Sequence, residues 1–183
     1  KKFETTSAGV TVTGNIISTN VEPTGNINAP DSSSGSVGRA RFGGGADLQI
    51  YHDGTDSYIT NTTNDLKIQC TGDDIEITAA DNLGLYVQGG ENAVVAYGDA
   101  QVELYHDAVK TFETTANGVK VTAPENNHAR IKMWADDGDD SADKWEIMAT
   151  TQGQLRFYHG DSSENTIVLN GDGAVELYHN NEL

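Results

Sequence analysis

One stretch of this 183-residue chain decides its fold: Val102 to Thr122 reads VELYHDAVKTFETTANGVKVT. At its start, Val102 and Leu104 alternate with Glu103 and Tyr105. Successive side chains of a strand point to opposite sides, so this alternation predicts a β-strand with one apolar and one polar face.

Two further strands follow within the same stretch. Residues 107–109 can turn the chain, residues 111–115 are β-prone, and Asn117-Gly118 predicts a two-residue hairpin before Val119 and Val121. The stretch therefore predicts a unit of three short strands joined by tight turns. A unit with one thin apolar face cannot bury that face alone, so it must pack on neighbouring units or on other chains.

The unit recurs along the chain. Lys1 to Thr13 and Lys110 to Thr122 are identical at nine of thirteen positions, at an offset of 109 residues. A marker of an apolar residue, any residue, an apolar residue and Tyr, usually followed by His, occurs five times. Its tyrosines are 35, 19, 53 and 20 residues apart, close to multiples of about 18 to 20, which is near the short end of structural-repeat periods. The repeat residues are Leu48, Ile50, Tyr51 and His52; Leu83, Leu85 and Tyr86; Val102, Leu104, Tyr105 and His106; Leu155, Phe157, Tyr158 and His159; and Val175, Leu177, Tyr178 and His179.

These patterns divide the chain into five segments: a partial repeat unit at 1–14, a connector at 15–46, a β-repeat shaft at 47–122, a small β-meander module at 123–173 and the start of the next unit at 174–183. The meander is predicted from strands at 131–134, 145–149, 155–158 and 167–169. Gly9, Gly54, Asn117 and Gly118 are assigned to turns. Placed end to end, the last and first residues nearly rebuild one unit, so we expect both ends to cut through a longer array.

Composition supports a thin array and restricts the partners. Hydrophobic residues make up 36% of the chain, below the roughly 45–50% of globular domains, so one wide core is not expected. The net charge of −17 opposes binding to nucleic acid or anionic lipid. Cys70 is the only cysteine, which excludes an intrachain disulfide, and no run of about 18 apolar residues predicts membrane insertion.

Few residues point to chemistry. The acidic run Asp136 to Asp140, with Asp143, could hold Ca²⁺, but it does not fit an EF-hand loop and is interpreted as a solvated turn. Gly43 to Asp47 lacks the fourth-position Gly of Ca²⁺-binding β-helix repeats. No Ser, Cys or His is placed as a nucleophile with its base. The prediction is therefore no catalytic residue, no metal site and no cofactor.

The tyrosines and histidines of the markers are interpreted as structural. Tyrosines at strand positions more often pack across strands than stack on sugars. By alternation, the histidines end the apolar stripe. In a parallel trimer we expect them to form a neutral layer near the axis rather than a metal site.

Three segments resemble units of the tail-fibre and virion structural proteins of marine phages, such as those that infect cyanobacteria. They are DLQIYHDGTDSYI (Asp47 to Ile59), VELYHDAVKTFETTANGVKVT (Val102 to Thr122) and DDGDDSADKWEIMA (Asp136 to Ala149). The resemblance implies a virion location, a fibrous β-rich shaft and homotrimeric assembly. It supplies no catalytic or receptor-binding residue.

We therefore expect an all-β, repetitive fibrous shaft, built as an intertwined parallel homotrimer or, alternatively, as a single-chain β-solenoid. Its expected function is that of a phage tail-fibre segment that supports host adhesion without catalysis. Its expected partners are other copies of itself, neighbouring virion proteins and a host-surface glycan or protein. The alternatives are an extracellular bacterial adhesin filament and a glycan-binding or glycan-cleaving tailspike segment.

Overall fold

The protein, analysed as a computed structural model, is all-β, as the sequence predicts. The structure describes residues 3–6, 9–12, 23, 25–34, 37–160 and 164–179. Within these ranges, one short 3-10 turn at Ser141–Asp143 is the only helical element. No helix in the described ranges is long and apolar enough to span a membrane. The chain divides into two units, Lys1–Ile75 and Glu76–Leu183.

The first unit opens with a hairpin of β1 (Phe3–Thr6) and β2 (Gly9–Val12). Its antiparallel register pairs Phe3 with Val12 and Thr6 with Gly9. The same pairs recur 109 residues later between β9 and β10 in the second unit. The sequence repeat is therefore a repeat of backbone structure with an identical register.

The first unit also contains a three-stranded antiparallel sheet in chain order: β3 (Arg39–Phe42), β4 (Leu48–His52) and β5 (Ser57–Asn61). Strand β3 lies inside the segment predicted as a connector. Ser32, also in that segment, is buried and donates its backbone N–H to the carbonyl of His52 at 2.7 Å. Residues 62–82 contain no strand.

The second unit holds two five-stranded antiparallel sheets, each in chain order. The first consists of β6 (Leu83–Val87), β7 (Glu91–Ala96), β8 (Val102–His106), β9 (Val109–Thr115) and β10 (Gly118–Val121). The second consists of β11 (Ala129–Trp134), β12 (Lys144–Ala149), β13 (Gln154–His159), β14 (Glu164–Asn170) and β15 (Val175–Leu177). The second sheet contains the four predicted meander strands, and β15 adds the predicted start of the next unit to the same sheet.

The core is very small. Among the described residues, only Ala46, Val95, Met148, Tyr158 and Val168 are buried hydrophobic residues. Many large apolar side chains are instead exposed, among them Val119 at 61%, Ile59 at 59% and Leu177 at 66%. Much apolar surface therefore stays in contact with water when the chain is alone.

Candidate functional site

One face of the β6–β10 sheet carries a row of apolar side chains, one from each of the five strands. Cross-strand pairing places Leu85, Val94, Leu104, Phe112 and Val121 side by side. Leu104 is 40% exposed and Leu85 is 55% exposed, because no other described layer of the second unit covers them. We call this row and its equivalents in the other sheets the apolar face.

The β11–β15 sheet has an apolar face of the same construction. Its central row consists of Ile131, Ile147, Phe157, Ile167 and Leu177. Leu177, at the open edge, is 66% exposed. Five strands thus contribute one apolar side chain each to a row that the chain itself does not cover.

The markers explain why the rows form. In each marker, the apolar residue directly before Tyr lies in such a row: Ile50, Leu85, Leu104, Phe157 and Leu177. In the three-stranded sheet, Ile50 pairs with Ala40 and Ile59, and Ile59 is 59% exposed. The marker therefore specifies the apolar face of every sheet in which it occurs.

The tyrosines lie on the opposite face and fold back over the residue two positions earlier. The Tyr178 hydroxyl donates to Glu176 Oε2 at 2.6 Å, and the Tyr105 hydroxyl donates to Glu103 in the same way. In β13 the partner is basic, since Arg156 donates to the Tyr158 hydroxyl at 2.9 Å. We call this side the tyrosine face.

The tyrosines of the other two markers have different neighbours. Arg39 lies 3.7 Å from the centroid of the Tyr51 ring while it donates to Gln49 Oε1 at 2.9 Å. Tyr86 lies over Gly84, where an added Cβ would stand 2.4 Å from the Tyr86 hydroxyl. The sequence interpretation expected packing across strands, and the structure shows this for Tyr51, whose ring stacks on that of Tyr58 with centroids 4.9 Å apart. Tyr86, Tyr105, Tyr158 and Tyr178 instead contact the residue two positions earlier in their own strand.

The tyrosine face of the β6–β10 sheet carries a buried ionic network. Glu103 and Glu113 lie directly opposite each other in neighbouring strands, an arrangement that is unfavourable without counter-charges. Lys110 bridges them, 2.8 Å from Glu103 and in contact with Glu113, and Lys120 Nζ lies 2.5 Å from Glu113. Glu103 is 4% exposed, so its charge depends on these partners.

The network shifts the ionisation of its members. Hydrogen bonds from Lys110, Tyr105 and Gln101 lower the pKa of Glu103 to about 2. The hydrogen bond to Glu103 raises the pKa of Tyr105 to about 12, and hydrogen bonds to both glutamates raise the pKa of Lys110. Hydrogen bonds from Lys110 and Lys120 lower the pKa of Glu113. Glu103, Glu113 and Lys110 are therefore charged at neutral pH, whereas the Tyr105 hydroxyl keeps its proton. The sequence interpretation missed this network.

A β-bulge recurs beside three of the markers. The register shifts between Leu85 and Tyr86, between Leu104 and Tyr105, and between Phe157 and Tyr158. In each case the following strand holds one extra residue, so the bulge has a fixed position relative to the marker tyrosine. The β4–β5 pair has no such shift.

The marker histidines lie at the strand ends, as alternation predicts. His52, His106 and His179 are exposed in the single chain. His159 is half-buried, and its ring lies 4.6 Å from that of Trp145, its cross-strand partner on the apolar face. Only a partner chain could bury the other three, so the histidine layer stays a prediction.

The turns follow the predicted chemistry with one change of register. Gly54 has φ of 101°, in a turn where Asp53 Oδ1 accepts the N–H groups of Thr55 and Asp56 at 2.9 and 2.8 Å. Gly9, which the sequence analysis assigned to a turn, is instead the first residue of β2 and pairs with Thr6, as Gly118 pairs with Thr115 in the later copy.

The Asn117-Gly118 hairpin forms one residue earlier than predicted. Thr115 pairs with Gly118, so Ala116 and Asn117 are the two connecting residues, and the positive φ of 153° falls on Gly118, the first residue of β10. In the preceding turn, Asp107 and Ala108 have φ of 51° and 58°. Both central residues of that hairpin therefore have a left-handed backbone conformation.

The acidic run forms a loop between β11 and β12. Asp140 caps the 3-10 turn by accepting the N–H of Ala142 at 2.7 Å. The ligand atoms of Asp139, Asp140 and Asp143 lie within 4.8 Å of one another in this exposed loop. The run forms a turn, and its three carboxylates lie close enough together to be ligands of one cation, so the absence of a metal site stays a prediction. Gly43 to Asp47 connects β3 to β4, with the Asp47 carboxylate folded against Gly43.

Comparison with known protein families, curated proteins and solved structures finds no match to this chain.

Proposed function

We propose that this chain is a structural segment of a fibre whose apolar faces are covered by further copies of the chain. The observation that carries the proposal is that each marker-bearing sheet is a single layer with an exposed apolar face. Burial of apolar area is the main favourable term in protein association, so such faces favour self-assembly. The arrangement proposed is a parallel homotrimer that brings the apolar faces to a common axis.

The distribution of charged side chains supports the apolar face as the surface through which copies of the chain associate. In the β6–β10 sheet, Glu103, Lys110, Glu113 and Lys120 all project from the tyrosine face. Copies that each carry a net charge of −17 repel one another unless their contact surfaces are uncharged. Contact through the apolar faces keeps these four charged side chains away from the interface.

The resemblance of three segments to marine-phage fibres leads us to propose a phage tail fibre as the biological setting. The segment then acts without catalysis as a shaft in the virion, contacts neighbouring virion proteins, and supports adhesion to a glycan or protein of the host surface. Immunogold electron microscopy with an antibody against this chain tests the setting. Labelling along the fibres of purified phage particles is expected. Labelling of filaments on bacterial cells, with none on the particles, would favour the adhesin alternative.

A further inference from the structure

A groove of about 300 Å³ lies on the tyrosine face of the β11–β15 sheet. It is lined by Arg130, Lys132, Trp134, Lys144, Glu146 and Tyr158, among others. The volume is at the lower end of the range of about 300–1,000 Å³ for ligand sites. The groove is on the opposite side of the sheet from the apolar face, so the proposed assembly leaves it open to solvent.

The charge of the groove is opposite to that of the chain. Acidic residues outnumber basic ones by 28 to 11 overall, yet the lining includes three cationic side chains and one carboxylate. That carboxylate, Glu146, is shared by Arg130 at 3.0 Å and Lys132 at 3.2 Å. Because Arg130 and Lys132 share this one carboxylate, it balances only one of their two positive charges, which favours an anionic ligand.

Trp134 adds an aromatic surface to these charges. It is 58% exposed, and it follows Lys132 on the charged side of β11, whereas Ile131 and Met133 point to the apolar face. The Lys132 and Lys144 ammonium groups lie 5.9 and 5.6 Å from its ring centroid. Gly138 packs against part of the indole, where an added Cβ would stand 3.1 Å from Trp134 Cε3. The exposed remainder, with two cations beside it, offers an apolar surface to a ring and charges to an acidic substituent on that ring.

We propose that this groove binds an acidic saccharide, a sugar ring that carries a carboxylate or sulfate group. Arg130 and Lys132 contact the acidic group, since a guanidinium matches the geometry of such oxyanions. Trp134 packs against the sugar ring, and Glu146 accepts hydrogen bonds from ring hydroxyls. This site would be where the chain contacts the host-surface glycan proposed above. Its biological role rests on that proposed function, whereas binding in the groove does not.

Titration calorimetry with the whole chain tests this site. The probes are tetragalacturonate, neutral maltotetraose, and sodium sulfate at matched ionic strength. Tetragalacturonate is expected to bind, and Trp134→Ala and Lys132→Gln are each expected to weaken its binding about tenfold or more. Lys67→Gln removes an exposed cation outside the groove and should leave the affinity unchanged.

Four results would overturn the assignment: no binding of tetragalacturonate, unchanged affinity in both groove variants, equal binding of maltotetraose, or complete competition by sulfate alone. In the Trp145→Phe variant, Trp134 is the only tryptophan. Its fluorescence reports folding in a denaturant titration and binding in a ligand titration, so a loss of binding is distinguished from a loss of folding. Failure of binding leaves the fibre proposal intact, because that proposal is tested by the mass of the assembly.

Discussion

Leu104→Asp is the substitution that separates an assembled fibre from a stable single chain. Leu104 lies between Val94 and Phe112 in the apolar row and is 40% exposed when the chain is alone. Complete burial of a leucine contributes about 1.5–3 kcal/mol, so covering the remaining exposed part adds about 0.6–1.2 kcal/mol per copy, or about 2–4 kcal/mol in a trimer. An aspartate at this position loses that contribution and leaves an unpaired carboxylate in a dry interface, which costs several kcal/mol more.

The assay is light-scattering mass against protein concentration. We expect Leu104→Asp to raise the concentration at which the assembly dissociates by at least about a hundredfold, since each 1.4 kcal/mol is a factor of ten. Ile68→Asp is the matched control, because Ile68 is 69% exposed in a segment without strands. Equal dissociation of wild type and Leu104→Asp would refute the reasoning.

Three further predictions concern the stability of the β6–β10 sheet. Gly118→Val should lower the free energy of unfolding by about 1 kcal/mol or more, because the φ of 153° at Gly118 is unfavourable for a β-branched residue. Ala108→Gly should raise it by about 0.5–1 kcal/mol, because alanine is strained at φ of 58°, whereas Ala116→Gly should not stabilise. The pKa of Glu103 is lowered from 4.5 to about 2 in the folded state, so its ionised form stabilises the fold above about pH 4.5, and this contribution is lost as the pH falls through about 2. Melting temperatures should therefore fall over this window in the wild type and fall less in Glu103→Gln.

Each of these predictions has a result that contradicts it. Wild-type stability in Gly118→Val would mean that the strain at this position is absent in solution. A lower melting temperature in Ala108→Gly would show that the turn is not left-handed at residue 108. Identical acid dependence in wild type and Glu103→Gln would remove the ionic network as a source of pH sensitivity.

The strands could be predicted from the sequence because apolar and polar residues alternate with the two-residue period of a β-strand. Leu104 and Phe157 each precede a marker tyrosine, and both lie in strands with the expected faces. The hairpin at the start of the chain followed from self-similarity, and the structure gives it the register of the later copy. These features depend on the local residue pattern and on repeats within the chain, and both can be read from a single sequence.

The missed features depend on contacts between strands. The bulge after Leu104 changes which residues pair, and no single side chain signals it. Alternation places Glu103, Glu113 and Lys120 on one face, but it puts Lys110 on the opposite face with Phe112. Lys110 reaches the two glutamates because of the bulge, so the network could be predicted only in part. Strand β3 was missed since its four residues, Arg39–Phe42, include two arginines and resemble an exposed loop. The arginines are accommodated because the tyrosine face is polar, with Arg39 stacked on Tyr51.

The mass of the native assembly tests the central claim most directly. One chain has a mass of 19.5 kDa, and light scattering across a range of concentrations near neutral pH measures how many chains associate. We expect a particle of three chains that persists on dilution, since its interface is the apolar face of every marker-bearing sheet. A stable particle of one chain at all concentrations would contradict it.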